Sequence, residues 1–300
     1  VCDKDCQFCA FARPTDDSPG AYTMTPQQVF EKAQTIPDGV TEVHIVGGCH
    51  PGVPFEWYLD VLRSVRRARP DAVLKAYTAV EIDHMSKLYG LSIEDVLRAL
   101  MDAGLAALPG GGAEVFDPRL RGKISGRKAS SMKWIKIHEI AHGMGLKSNA
   151  TLLYGHIETI EQRVDHLVRL RELQDRTGGF LTFIPLAFHP DNNKLSHLPW
   201  TTGAEDLRAV AVARLMLDNF PNIKAYWVLT SPRFAQVALA YGANDLDGTV
   251  IEEHIYHDAG SEVPQGVGVD ELLALIREAG RIPMERDGLG RLVKEYSHAA

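Results

Sequence analysis

Residues 41–76, TEVHIVGGCHPGVPFEWYLDVLRSVRRARPDAVLKA, decide the fold class. TEVHIVGG is a short β-branched run ending in two glycines, the pattern of a strand entering a turn. PFEWYLDVLRSVRRARP then places apolar residues at helical spacing and stops at Pro70. DAVLKAYTAV, through residue 80, reads as the next strand. Strand, helix, strand in that order is the unit that joins parallel strands through a crossover helix.

The same rhythm continues. SIEDVLRALMDAG is a helix opened by Ser92 and closed by Gly104, and LAALPGGGAE follows as strand and loop. KSNATLLYGH, FLTFIPLAFHP and IKAYWVLTS read as strands, GTVIEEHIYH as the last strand-like segment, and GVDELLALIREAGRIPMERD as a closing helix. About seven such units at roughly forty-residue spacing, with no composition break, predict one α/β domain over residues 1–300. The expected architecture is a (β/α)8 TIM-type barrel lacking its first strand and N-terminal segment, with a helical closing segment. Two doubly wound domains are the weaker alternative. In a barrel of this kind the chemistry lies where strands end, at the C-terminal face.

Bulk composition narrows the function. The 300 residues carry a net charge of -7, with 45% apolar and 24% charged residues, and no run approaches the length of a membrane span. No electrostatic footprint for nucleic acid is present, and the basic runs RSVRRAR and RGKISGRK read as solvated surface. The four cysteines do not form a spread disulfide framework and no secretory segment is visible, which fits a reducing cytoplasm. The chain does not begin with Met, so the expectation is that the native start is missing.

Three of those cysteines, Cys2, Cys6 and Cys9, fall within VCDKDCQFC. Three thiolates in one loop suit a soft metal centre. Two readings stay open at this level. One is an iron-sulfur cubane held by three cysteines, and the other is a zinc site that borrows Cys49 as a fourth ligand. Cys49 otherwise reads as a small buried hydrophobe.

C-x3-C-x2-C with Phe8 before the last cysteine resembles the signature of the radical S-adenosylmethionine (SAM) enzymes. That resemblance implies a 4Fe-4S cluster on Cys2, Cys6 and Cys9, with SAM bound at its open iron and cleaved by one electron to methionine and a 5'-deoxyadenosyl radical. It also implies cofactor contacts at Gly47, Gly48, Thr78, Glu81, Glu114, Asn149, Leu153 and Gly155. TLLYGHIE resembles the superfamily's G-x-I-x-G-x-x-E stretch at Leu153, Gly155 and Glu158, with Thr151 in place of the first glycine.

CQFCAFAR, VTEVHIVGGCHP, KAYTAVEIDH, LPGGGAEVFDPRLR, IPLAFHPDN and DLDGTVIEEHIYHDAG together resemble the aminofutalosine synthase family of menaquinone biosynthesis. By that likeness the substrate is 3-[(1-carboxyvinyl)oxy]benzoate. The adenosyl radical adds to its enol-ether double bond, the aryl group migrates, and a carboxyl group leaves as bicarbonate, giving 6-amino-6-deoxyfutalosine. The likeness implies a one-electron donor of flavodoxin or ferredoxin type, and neither nucleic acid nor membrane as partner. Sister enzymes share much of the pattern: the cyclic dehypoxanthinylfutalosine synthase and the tyrosine-using deazaflavin-cofactor synthase. For the substrate carboxylates, position nominates Arg13, Lys75, His50, His189 and His257, with His50 and His257 as the preferred catalytic pair.

HEIAH at 138–142 matches a zinc-protease pattern, but it lies at the end of a helix that leads into a strand, which places it on the bottom face of a barrel. PGGGAE lacks the Lys-Ser/Thr of a phosphate loop.

Overall fold

A computed structural model describes residues 1–258 and 260–296. Seven strands make one parallel sheet: β1 (Glu42–Ile45), β2 (Val73–Ala76), β3 (Ala107–Leu108), β4 (Lys147–Tyr154), β5 (Phe180–Ala187), β6 (Asn222–Ala225) and β7 (Asp245–Leu246). Their spatial order is their chain order, with every neighbouring pair parallel. Among the described residues β1 and β7 do not pair with each other, so the sheet is a curled, open half-barrel. An interior charge cluster registers the curl: Glu42 on β1 feels both Lys75 on β2 and Lys224 on β6.

Helices cover the outside because their apolar stripes need the sheet. Phe55–Ala68 buries Tyr58, Leu59, Val61, Leu62 and Val65, and Ile93–Asp102 buries Val96, Leu97 and Leu100. The Ser92 hydroxyl caps the second of these by accepting from Asp95 N–H at 3.0 Å, as the sequence predicts.

The chain leaving β3 packs closely against the backbone of β4. A side chain at Gly110, just beyond β3, would meet the Ala150 backbone at 2.8 Å, and the Thr151 hydroxyl donates to Gly110 O at 2.8 Å. Gly110→Ala is therefore expected to lower stability by about 1–3 kcal/mol, read as a shifted urea midpoint, because neither backbone can move aside cheaply.

Several expectations need correction. DAVLKAYTAV is strand only to Ala76: Tyr77 turns the backbone to φ 56°, and Thr78 and Glu81 form a capping box that starts the helix Ala79–Tyr89. IKAYWVLTS is strand only to Ala225, and Trp227–Thr230 is a helical turn whose Trp227 is fully buried. GTVIEEHIYH is not the last strand. That strand is Asp245–Leu246, whereas Ile251 and Ile255 are about half exposed and Ile255–Asp258 is a single helical turn. The apolar residues there follow no buried face, so their β-branching was misleading.

The closing segment is not purely helical either. After the helix Val269–Glu278 an antiparallel hairpin, β8 (Met284–Arg286) and β9 (Leu292–Glu295), returns to the barrel. Arg286 grips Asp245 through two hydrogen bonds, 2.7 and 2.5 Å, beside the pair Lys224–Asp247 at 2.5 Å. Gly288 comes so near β1 and β2 that a side chain there would meet Glu42 at 2.7 Å and Val73 at 3.0 Å.

Candidate active site at the cysteine loop

Three C-terminal strand ends hold the cysteine loop. Asp3 N–H donates to Cys49 O after β1 at 3.2 Å, Gln7 N–H donates to Ile124 O of the helix Pro118–Ser125 after β3 at 2.8 Å, and Lys194 N–H donates to Gln7 O after β5 at 2.9 Å. Cys2 N–H adds a bond to Arg13 O at 2.7 Å, and the Arg13 guanidinium is spent on the carbonyls of Ala10, Ala12 and Pro19. Arg13 is thus a clamp of its own loop, not a free cation.

All four cysteines are reduced, with Cys6 and Cys49 buried. A hydrogen bond from Cys49 draws the Cys2 thiol down to about 5, whereas burial pushes Cys6 up to about 11 and also raises Cys9. Cys2, Cys6 and Cys9 all lie within the field of the Lys128 ammonium; Cys6 feels both other thiols and Cys9 feels Cys2. Thiolates form where a cation and metal can compensate them, so the loop fits a cluster held by three cysteines. Among the described residues no group of three or more His, Cys, Asp or Glu side chains, the loop cysteines included, converges on a single ion.

Lys128 corrects the expectation that RGKISGRK is solvated surface. Its ammonium sits 2.5 Å from Glu114 and 5.0 Å from the Phe8 ring centroid, both carboxylate and cation largely buried. Burial disfavours both charges, but each outweighs that for the other: Glu114 is held below the usual carboxylate range and Lys128 is raised. Arg121 of the same run is buried as well, donating to the carbonyls of Gly112, Ala113 and Ala129 and so fixing the PGGGAE loop. Glu114 itself has φ 49°, an uncommon conformation for a residue with a side chain. A tight bend that aims its carboxylate at Lys128 explains it.

Gly47 and Gly48 sit beside this loop. A side chain on Gly48 would strike Val1 O at 2.0 Å and the Cys2 Cβ at 2.8 Å, so that glycine's close approach is to the cysteine loop itself. Gly47 N–H donates to Glu81 at 3.1 Å, and Glu81 also accepts from Thr78 N–H and hydroxyl at 2.7 and 2.8 Å. Burial lifts Glu81 to about 7, against those three bonds.

On the far side, Gly155 has φ 88°, and the buried Glu158 carboxylate accepts from the N–H groups of Gly155 and His156 at 2.6 and 2.9 Å while pairing with Arg163 at 2.6 Å. Glu158 thus shapes the turn after β4. Asn149 and Leu153 are buried on β4, and the Asn149 Oδ1 has no partner among the described residues.

The nominated carboxylate binders separate clearly. Lys75 is buried and paired with Glu42 at 2.8 Å. The His50 ring accepts from Gly52 N–H at 2.9 Å and meets Asp16 at 3.3 Å. His257 lies on the helical turn rather than at a strand end, its ring held by Glu253 at 2.9 Å and Val263 O at 2.8 Å. Burial lowers the His257 pKa, but those partners more than reverse it, leaving it raised. His189 differs: 6% exposed, both its ring nitrogens lack a partner among the described residues, and its ring stands edge-on to Trp200 with centroids 4.3 Å apart.

HEIAH lies, as expected, away from this site. His138 and His142 share the Ser148 hydroxyl at 2.9 and 2.8 Å, while Glu139 points outward to Lys136 and Arg176.

Comparison with known proteins gives the same picture. Residues 1–170 match the radical SAM superfamily and residues 177–295 the CofH/MqnC C-terminal region. The seven-stranded sheet runs through both stretches. An aminodeoxyfutalosine synthase of Thermus thermophilus is 51% identical across 99% of this chain and 81% of its own length. A 5-amino-6-(D-ribitylamino)uracil–L-tyrosine 4-hydroxyphenyl transferase of Methanopyrus kandleri is 41% identical across 99% and 82%. In structure, methylornithine synthase covers 93% of this chain and 78% of its own with a TM-score of 0.67 at 16% identity, a likeness of fold alone.

Proposed function

We propose that this chain, which belongs to the radical SAM superfamily, is an aminodeoxyfutalosine synthase that joins the adenosyl group of SAM to 3-[(1-carboxyvinyl)oxy]benzoate. The observation that carries this reading is the 51% identity to the Thermus thermophilus enzyme over nearly the whole chain, ten points above the tyrosine-using relative. Cys2, Cys6 and Cys9 would hold a 4Fe-4S cluster, which would supply the one electron for cleaving SAM.

Around it the protein's residues hold and shield. Lys128, locked by Glu114, offsets the negative charge of the thiolates and of a nearby carboxylate. Gly47, set by Glu81 and Thr78, and Gly155, set by Glu158, present backbone where a side chain would block a methionine or adenine group. Asn149 offers its unpartnered oxygen and Leu153 an apolar wall.

His189 takes the place first given to His50 and His257, whose ring nitrogens already have partners. Its two free nitrogens suit a carboxylate of the substrate, as imidazolium or through one N–H. His189→Ala is expected to lower product formation about tenfold or more while 5'-deoxyadenosine release falls less than threefold. Equal losses of both would remove His189 from the substrate site.

The reading as a whole is tested by offering the cluster-loaded protein, in separate anaerobic reactions, the carboxyvinyloxybenzoate and tyrosine with the ribitylaminouracil. Substrate-dependent acceleration of SAM consumption by the first alone supports it. Acceleration by the second alone would transfer the chain to the sister activity.

A further inference from the structure

The two basic runs differ in how their charges are used. In 63–69, Arg63 pairs with Glu56 and Asp60, Arg66 and Arg69 donate to backbone carbonyls, and Arg67 lies over the Phe30 ring at 4.0 Å. In 119–127, Arg119, Lys123 and Arg127 are exposed, and among the described residues none of them makes an ion pair; Arg127 donates to the Asp3 carbonyl oxygen at 3.4 Å and adds its field to Asp5, which Lys194 already pairs. Arg119 and Lys123 are four apart on the helix Pro118–Ser125, whose opposite side buries Leu120, Arg121 and Ile124.

That basic face is attached to the cysteine loop. Ile124 O accepts Gln7 N–H at 2.8 Å, and Gln7 follows Cys6 directly. The nearest exposed acid on the loop, Asp5, is engaged by Lys194 at 2.6 Å. So in a chain of net charge -7, three exposed cations outside any ion pair of the described residues gather beside the residues nominated to hold the cluster.

We propose that Arg119, Lys123 and Arg127 form the docking face for an acidic one-electron carrier protein, which delivers its electron through the Gln7 side of the cysteine loop. This rests on the radical SAM reading, because only a site that is reduced by one electron needs such a partner. Charge complementarity selects the occupant: an acidic carrier is repelled by the remainder of a -7 chain and steered to this face. One electron passes from the reduced carrier to the cluster, the carrier being oxidised by one electron and the cluster reduced by one, with no proton or group transferred.

The test uses the triple variant Arg119→Glu, Lys123→Glu, Arg127→Glu of the cluster-loaded protein, with a flavodoxin as the carrier. Flavodoxin is expected to bind the unsubstituted protein with an affinity that falls as salt rises. The variant should bind at least about tenfold more weakly and lose flavodoxin-driven SAM cleavage, yet keep dithionite-driven cleavage within about twofold. Equal flavodoxin affinity in both proteins would overturn the docking face. If neither reductant cleaved SAM in the unsubstituted protein, the radical reading would fall, while the binding comparison would still decide the surface.

Discussion

Cys6→Ala is expected to remove both the brown colour of the iron-reconstituted protein and its SAM cleavage, to background. Cys6 is the most central of the three thiols: 5% exposed, flanked by Gln7 with its bonds to Ile124 and Lys194, and under the influence of Lys128 and Glu114. No neighbouring side chain replaces it, because Cys49 is buried on the Cys2 side against Val80 and Ala129. A three-cysteine cluster cannot lose a ligand and keep its open iron for SAM. The measurement is iron content and 5'-deoxyadenosine yield for the Ala variants of Cys2, Cys6, Cys9 and Cys49. The first three should fail alike, and Cys49→Ala should retain iron. Loss of metal on replacing Cys49 would restore the four-cysteine reading.

The second large effect is expected at Lys128. Lys128→Met leaves the buried Glu114 carboxylate without its cation, and breaking one side of a buried pair costs about 3–5 kcal/mol. Urea unfolding should show that loss. The double variant Lys128→Met, Glu114→Gln should recover part of it, since no lone buried charge remains. Recovery of stability without recovery of SAM affinity separates the packing of the pair from its role at the cysteine loop. Should Lys128→Met unfold at the same urea concentration as the unsubstituted protein, the pair is not buried as described.

Much of the architecture was legible because long elements repeat a period. β4 and β5, eight residues each, and the helices Phe55–Ala68 and Ile93–Asp102 stand where apolar runs and helical spacing put them. Short elements were not. β3 and β7 have two residues each, too few to show a period, and the β8–β9 hairpin is fixed by a distant partner, Arg286 on Asp245. The helix Ala79–Tyr89 hid because the mostly apolar stretch from Val73 to Val80 runs on from the strand without a Gly or Pro, so only the Thr78–Glu81 box marks the change from strand to helix.

At the site, the cysteine spacing and the glycines could be read from local sequence, because their chemistry is local. Lys128 and Arg121 could not. A Lys and an Arg in a run with Lys123 and Arg127 look solvated, and only the fold brings Glu114 and the carbonyls of the glycine loop to them. A buried acid at a strand end, Glu114, was the available signal, since such a group requires a cation. At His50 and His257 the sequence neighbours Gly52 and Glu253 each engage a ring nitrogen, a local competition that position alone does not reveal.

The most direct test of the central claim is mass spectrometry of the products after anaerobic turnover of the iron-reconstituted protein with SAM, dithionite and 3-[(1-carboxyvinyl)oxy]benzoate. The account predicts 6-amino-6-deoxyfutalosine, with one SAM consumed for each product formed. Methionine and 5'-deoxyadenosine as the sole products, with the benzoate untouched, would contradict it.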